Sequence, residues 1–235
     1  MIPKIIHYCW FGRNEKPEKI QKCIESWKIH LSDYQIIEWN EDNFDYNLLT
    51  YTKDAYNAKK YAFVSDVARV KALYEMGGIY LDTDVMVYQN FDSILKHNCV
   101  LGFEMSNYIA TCFMACVPKH YLMKDFYKLY LDLQFYDENG NIISGTNVSK
   151  LTNMLADKGL IKNNKLQQID DIIIYPTDYF SPYNYAWEYS SKNDKTICEH
   201  MFYVSWMSKR QQIKKKIKKL VRLTINKLNY RRKAE

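Results

Sequence analysis

The hydrophobic pattern opens with a run at residues 2–10, IPKIIHYCW, that is too short for a helix and rich in β-branched and aromatic residues. It predicts a strand, with Pro3 tolerable at its start and Phe11-Gly12 ending it. From Pro17 the apolar positions return at helical spacing, through Ile20, Cys23, Ile24 and Trp27, and predict a helix to about His30. YQIIEW at 34–39 reads as a second strand. Residues 40–57 are polar and aromatic, as loops and short helices are.

The densest pattern lies at 61–87, YAFVSDVARVKALYEMGGIYLDTDVMV. Val64, Val67, Ala68, Leu73 and Met76 fall near helical spacing, with Val70 and Ala72 filling in. Gly77 and Gly78 stop that helix, because glycine takes the left-handed conformation a helix end needs. Ile79, Tyr80 and Leu81 form a short apolar strand, closed by Asp82 and Asp84. Further on, 90–95 reads as a turn and short helix, and 100–105 and 111–117 as two strands of a hairpin. An amphipathic helix follows at 121–133. Turn signals stand at Asn139-Gly140 and Ser144-Gly145, then a helix to about Lys158 and a buried strand in DIIIYP. Strand, helix and strand at the start describe a nucleotide-binding α/β domain, in which ligands gather beyond the carboxyl ends of strands. The fold class is therefore α/β, a Rossmann-like mixed sheet flanked by helices.

Charge divides the chain. The net charge is +6, yet residues 207–235 alone hold 12 Lys and Arg against one Glu, which leaves residues 1–206 mildly acidic. In that tail Ile213, Ile217, Leu220, Val221, Ile225 and Leu228 form an apolar stripe with Lys and Arg around it. This is the pattern of a helix lying on anionic lipid, with 209–233 as the contact. A partner-docking helix, a nucleic-acid tail and an extra packed helix are the alternatives; nucleic acid is not the expected partner. The division sets the expected domains at 1–206 and 207–235. The six cysteines contain no C-x-x-C, the N-terminus lacks a signal-peptide pattern, and no run approaches bilayer-spanning length. These features predict a reduced, cytoplasmic chain, peripheral on the inner face of the cell membrane, with the cysteines as small buried apolar residues.

The candidate chemistry centres on Asp82 and Asp84. Residues i and i+2 of a strand share a side, and two carboxylates aimed together repel unless a cation sits between them or one is protonated. An oxygen-rich site of this kind suits Mg²⁺ or Mn²⁺ with a substrate diphosphate. The bland alternative is a pair of solvated strand-end residues opening a turn. The sharper one is a phosphohydrolase of the haloacid-dehalogenase type, with Asp82 as nucleophile and Asp170-Asp171 as the later acidic pair. Ser65, Asp66 and Arg69 stand in the preceding helix, and Asp66 and Arg69 share a face. They form either a surface ion pair or a sugar-binding pair in which Arg69 orients Asp66 or meets the substrate. Trp10, at a strand end, either stacks on a nucleobase or caps the core. Ser144, Gly145, Thr146 and Asn147 suit either a sugar site or a helix N-cap. His200 stands five residues ahead of Ser205-Trp206, where a chain can fold back over a diphosphate.

Four segments together, IPKIIHYCWFG, SDVARVKALYEMGGIYLDTDV, IYPTDYFSPYNY and HMFYVSW, resemble the D-x-D sugar transferases. That family includes bacterial capsular polysaccharide enzymes and the yeast initiating mannosyltransferase. The glucosylating toxins are more distantly similar, and the resemblance spans about residues 2–206. It implies a GT-A fold and a metal-dependent, retaining hexosyltransferase of capsular or surface polysaccharide synthesis. A nucleotide-sugar donor, with UDP favoured, a glycan or lipid-linked acceptor and Mn²⁺ or Mg²⁺ are implied with it. Carried over, Trp10 would stack on the base, with Ser65 and Tyr80 also at the donor, and Asp66 and Arg69 would hold the sugar. Asp82 would contact ribose and metal, Asp84 would be the main metal ligand, and His200 would complete metal or diphosphate binding. Ser205 and Trp206 would cover the phosphates. Gly145, Thr146 and Asn147 would meet the acceptor. Two departures stand out: Glu199 where relatives often have a second His, and Val204 where they often have Gly. A non-catalytic sugar- or lipid-binding protein is the remaining alternative.

Overall fold

Strand β1 (Ile5–Cys9) buries four of its five residues. The computed structural model describes residues 1–143, 145–184 and 189–203. The strand is shorter than the apolar run predicts, because Ile2 instead bonds its N–H to the carbonyl of Leu95 at 2.8 Å. Helix α1 (Glu18–His30) buries Ile20, Cys23, Ile24 and Trp27, the stripe read from its spacing. It returns the chain to β2 (Gln35–Trp39), which pairs parallel with β1. Helix α2 (Thr50–Asn57) leads to α3 (Tyr61–Met76), whose buried face holds Val64, Val67, Ala68, Val70, Ala72 and Leu73.

Gly77 (φ 65°) caps α3 and Gly78 (φ 97°) opens β3 (Gly78–Leu81). A Cβ on Gly78 would stand 2.6 Å from the Ile5 carbonyl, so the close approach of β3 to β1 also requires glycine. His7, fully buried on β1, locks this junction. It accepts from Trp39 Nε1 at 3.1 Å through Nδ1, which leaves Nε2–H to donate to the Gly77 carbonyl at 2.8 Å.

The strand prediction through Asp84 requires correction. After Leu81 the chain turns, with Val85 N–H bonded to the Asp82 carbonyl at 3.0 Å, and enters β4 (Val85–Val87). Asp82 and Asp84 therefore sit on a tight turn and not on one pleat. Beyond it lie β5 (Cys99–Glu104), β6 (Tyr108–Ile109) and β7 (Phe113–Cys116), then α4 (Tyr121–Leu131) and α5 (Asn147–Ala156). Strands β8 (Gln167–Ile169) and β9 (Ile172–Tyr175) and the short α6 (Thr177–Phe180) follow. A small pair, β10 (Tyr183–Asn184) with β11 (Tyr189–Ser190), precedes β12 (Cys198–His200), which pairs antiparallel with β4.

The central sheet has the order β2-β1-β3-β7-β5-β9-β8, with β6 added on β5. Strand β3 runs parallel to β1, β7 is antiparallel to both β3 and β5, and β9 is parallel to β5. The carboxyl ends of β1, β2, β3, β5 and β9 therefore share one edge of a mixed sheet, where α/β folds bind ligands. Met1–Phe202 is one compact unit. Ser144, Ser205, Trp206 and the basic tail lie outside the described residues.

Candidate active site

Four separate stretches meet at that edge. Asp82 leaves β3, Glu104 ends β5, and Thr111 and Cys112 lead into β7, with Asp82 N–H bonded to the Cys112 carbonyl at 2.8 Å. His200 arrives through β12, whose register sets it opposite Val85, next to Asp84. The backbone closes this contact, since Met201 N–H bonds to the Asp84 carbonyl at 2.9 Å.

Arg69 is the centre of the site and is 5% exposed. Its guanidinium stands 3.2 Å from Asp66 Oδ1 and 3.2 Å from Asp82 Oδ1. It also donates to the carbonyls of Thr111 at 2.8 Å and Ser65 at 3.2 Å, and it lies 4.5 Å from the Tyr80 ring centroid. The surface-pair reading of Asp66 and Arg69 is thereby excluded. The hydrogen bonds of Arg69 run to the protein, and it holds the two carboxylates together. Tyr80 stands beside it. It is buried, and its hydroxyl donates to Asp82 Oδ1 at 2.9 Å, so it supports that carboxylate and shows no surface to a donor. Ser65 gives its hydroxyl proton to the Tyr61 carbonyl of its own helix. Burial pushes the Asp66 carboxyl up to about 6, against the opposing pull of Arg69, and burial pushes Glu104 up to about 7.

Asp82, Asp84 and His200 place one ligand atom each within 4.8 Å of one another. Asp84 Oδ1 lies 3.2 Å from His200 Nε2, and the two side chains are 15% and 14% exposed. Two carboxylates and an imidazole suit Mn²⁺ or Mg²⁺, and these three residues would hold the ion. Such a cation supplies Lewis-acid stabilisation of a departing diphosphate. The turn geometry satisfies half of the bland alternative, but both aspartates are largely buried and paired. Glu199 points the other way along β12, as adjacent strand residues must, and accepts from Tyr88 Oη at 2.7 Å. The departure at Glu199 therefore lies away from the Asp82, Asp84 and His200 group.

Trp10 lines an open polar cleft of about 270 Å³ with Arg13, Asn14, Lys16, Glu38, Asn40, Glu41 and Asp42, at the carboxyl ends of β1 and β2. Its indole N–H donates to the Asn14 carbonyl at 2.6 Å, and Lys16 Nζ lies 5.7 Å from its ring centroid. Thr146 is the N-cap of α5, accepting from Ser149 N–H, and both Gly145 and Thr146 are exposed. Asn147 is buried and bonds the Asp66 carbonyl at 3.3 Å, which brings the start of α5 to the site. Asp170 and Asp171 stand before β9, at the opposite edge of the sheet, bonded to Tyr121 and to Asn98 and His120. The phosphohydrolase reading loses its acidic pair. Glu104, Thr111 and Cys112 were not predicted; no local motif marks them, and only strand pairing brings them to Asp82.

Residues 17–101 match the family model described as the glycosyltransferase sugar-binding region containing the DXD motif. Inositol phosphoceramide mannosyltransferase 3 of Schizosaccharomyces pombe is 36% identical over 108 residues, covering 41% of this chain and 28% of the relative. Inositol phosphoceramide mannosyltransferase 1 of the same yeast is 27% identical over 131 residues, covering 51% and 40%. The chain thus spans well under half the length of these curated relatives. The solved structure of PaToxG glycosyltransferase superposes with a TM-score of 0.50 at 18% identity, covering 67% of this chain and 69% of that one, and shares the GT-A fold. Residues 17–101 are thus similar to the DXD-containing sugar-binding region of glycosyltransferases, and the fold around them is of the GT-A type.

Proposed function

We propose that the protein transfers a hexose from a nucleoside diphosphate sugar to a glycan or lipid-linked acceptor, with a divalent cation held by Asp82, Asp84 and His200. The observation that carries this is the convergence of those three ligands beside the Arg69–Asp66 pair. It sits at the same sheet edge as Trp10, since β1 and β3 run parallel. In this reading Asp66 accepts hydrogen bonds from the sugar, Arg69 fixes Asp66 and Asp82, and the cleft at Trp10 takes the base. The names of the matched relatives favour mannose as the sugar and a membrane lipid as the acceptor over a capsular glycan. UDP is the nucleotide favoured from the sequence, and Mn²⁺ or Mg²⁺ is the ion.

Retention at the anomeric carbon by front-face attack belongs to the same proposal. Asp66 and Asp82 are both held by Arg69 and Asp84 by His200, which ties them away from a nucleophile's role. A covalent glycosyl-enzyme found on trapping would overturn that part.

The test is nucleotide release from a panel of UDP- and GDP-sugars, with Mn²⁺ or with chelator, by the wild type and Asp84→Ala. Mn²⁺-dependent release from one donor, reduced at least about 100-fold in the variant, is the expected result. Equal release by the variant, or release untouched by chelator, would overturn the metal reading.

A further inference from the structure

A second set of ligands shares His200. Glu104, Cys112 and His200 also place one ligand atom each within 4.8 Å of one another. Cys112 is 2% exposed, at the approach to β7, and Glu104 is partly buried at the end of β5. His200 supplies a second, independent observation. Its Nε2 faces Asp84, while its buried Nδ1 makes no hydrogen bond of good geometry among the described residues and the ring stands against the Cys112 thiol. A buried ring nitrogen without a good hydrogen bond is costly unless something binds it.

The chemistry of this set differs from that of the D-x-D group. Sulfur, imidazole and one carboxylate select Zn²⁺, whereas oxygen-rich groups select Mg²⁺ and Mn²⁺. Three protein ligands with a fourth position open to water is a common Zn²⁺ arrangement. A carboxylate on the far nitrogen of a ligating imidazole, the place Asp84 occupies, fixes the ring and strengthens the ligand.

We propose that Glu104, Cys112 and His200 form a Zn²⁺ site distinct from the D-x-D site and joined to it through one shared imidazole. Binding exchanges the Cys112 thiol proton, released to solvent, for a thiolate–zinc bond with no change of oxidation state. Because both sites draw on His200, Zn²⁺ in one removes a ligand from the other, so Zn²⁺ lowers the affinity for Mn²⁺. The inference does not depend on the transferase reading, since it concerns metal binding alone.

The experiment is an optical titration of the full chain, freed of metal and kept reduced without thiols, with Co²⁺ as the probe. One equivalent should raise a thiolate-to-cobalt charge-transfer band, discharged by one equivalent of Zn²⁺. The band should vanish in Cys112→Ala and persist in the control Cys99→Ala, which stands at the other end of β5. If Cys112→Ala does not fold, Glu104→Gln keeps the thiol and should weaken Zn²⁺ binding by about tenfold or more. No band in the wild type, a band that survives in folded Cys112→Ala, or unchanged Zn²⁺ affinity in Glu104→Gln would overturn the site. Nucleotide release by Mn²⁺ can succeed or fail independently of each result.

Discussion

Arg69 Nη1 lies 3.2 Å from Asp82 Oδ1, although one residue belongs to a helix and the other to the turn after a strand. With Asp66 on the other side, the buried guanidinium is held between two carboxylates. Removing one partner of a buried ion pair leaves an uncompensated charge, which costs about 3–5 kcal/mol. Arg69→Met should lose stability of that order in urea denaturation. Arg69→Lys keeps the charge but lacks the planar fork that reaches both acids and the Thr111 carbonyl. It should lose less stability, while nucleotide release falls at least about tenfold because Asp66 and Asp82 are no longer held together. A fully active Arg69→Lys would remove Arg69 from its positioning role.

His7 makes stability depend on pH. Burial, only partly offset by its bond to the Gly77 carbonyl, lowers its pKa from 6.5 to about 4. With the folded value depressed, the unfolded chain binds a proton that the folded chain refuses. Stability is full above about pH 6.5 and is lost as the pH falls toward 4. Between pH 7 and pH 5 this amounts to about 2 kcal/mol. Urea denaturation at the two values measures it. In His7→Gln, which keeps a donor and an acceptor but does not titrate, the pH dependence should shrink by about that amount.

Gly78 tests the junction of α3 with the sheet. Gly78→Ala combines a φ of 97° with a Cβ set 2.6 Å from the Ile5 carbonyl. A left-handed backbone with a side chain costs about 1–3 kcal/mol, and the backbone clash adds to it. The thermal midpoint should drop by several degrees, roughly 4 °C or more. A midpoint within about 1 °C of the wild type would mean that β3 can move away from β1 freely.

The same junction shows what was legible in the sequence. Local period and punctuation carried α1, α3, α4 and the Gly77–Gly78 break, because each rests on contacts within one segment. The D-x-D pair and SDxxR were legible as chemistry for the same reason. The three residues of β4 were missed, because a strand that short shows no period of its own and exists only through its pairing with β12. The orienting role of Arg69 toward Asp66 was legible from their spacing, but its hold on Asp82 and Thr111 was not, since those partners arrive through strand order. Glu104 and Cys112 are the extreme case: the β5–β7 and β3–β7 pairings place them, and nothing in their neighbours in sequence announces it.

Thr146 separates a structural role from an acceptor role. Its side chain accepts from Ser149 N–H at the start of α5, and loss of such a cap costs about 1 kcal/mol. Thr146→Ala should lose that stability, whereas Thr146→Asp should keep it, because Asp caps as well. If the exposed hydroxyl meets the acceptor, both variants should raise the acceptor KM several-fold while leaving donor hydrolysis unchanged. If Thr146 is a cap alone, Thr146→Asp should match the wild type in every assay.

The basic tail gives the last prediction, which rests on sequence. Residues 207–235 hold 12 Lys and Arg, and each such residue near an anionic bilayer contributes about 1 kcal/mol. Replacing Lys214, Lys215, Lys218 and Lys219 by Gln keeps the apolar stripe and removes four charges. Binding to vesicles containing phosphatidylserine should weaken at least about 100-fold by co-sedimentation, and binding by the wild type should fall steeply with salt. Nucleotide release in solution should not change, because the four lysines lie beyond Trp206, the last residue expected at the donor. Unaltered vesicle binding by the variant would leave the stripe, and so a protein partner or a packed helix, as the tail's purpose. A loss of nucleotide release together with vesicle binding would instead make the tail part of the donor site.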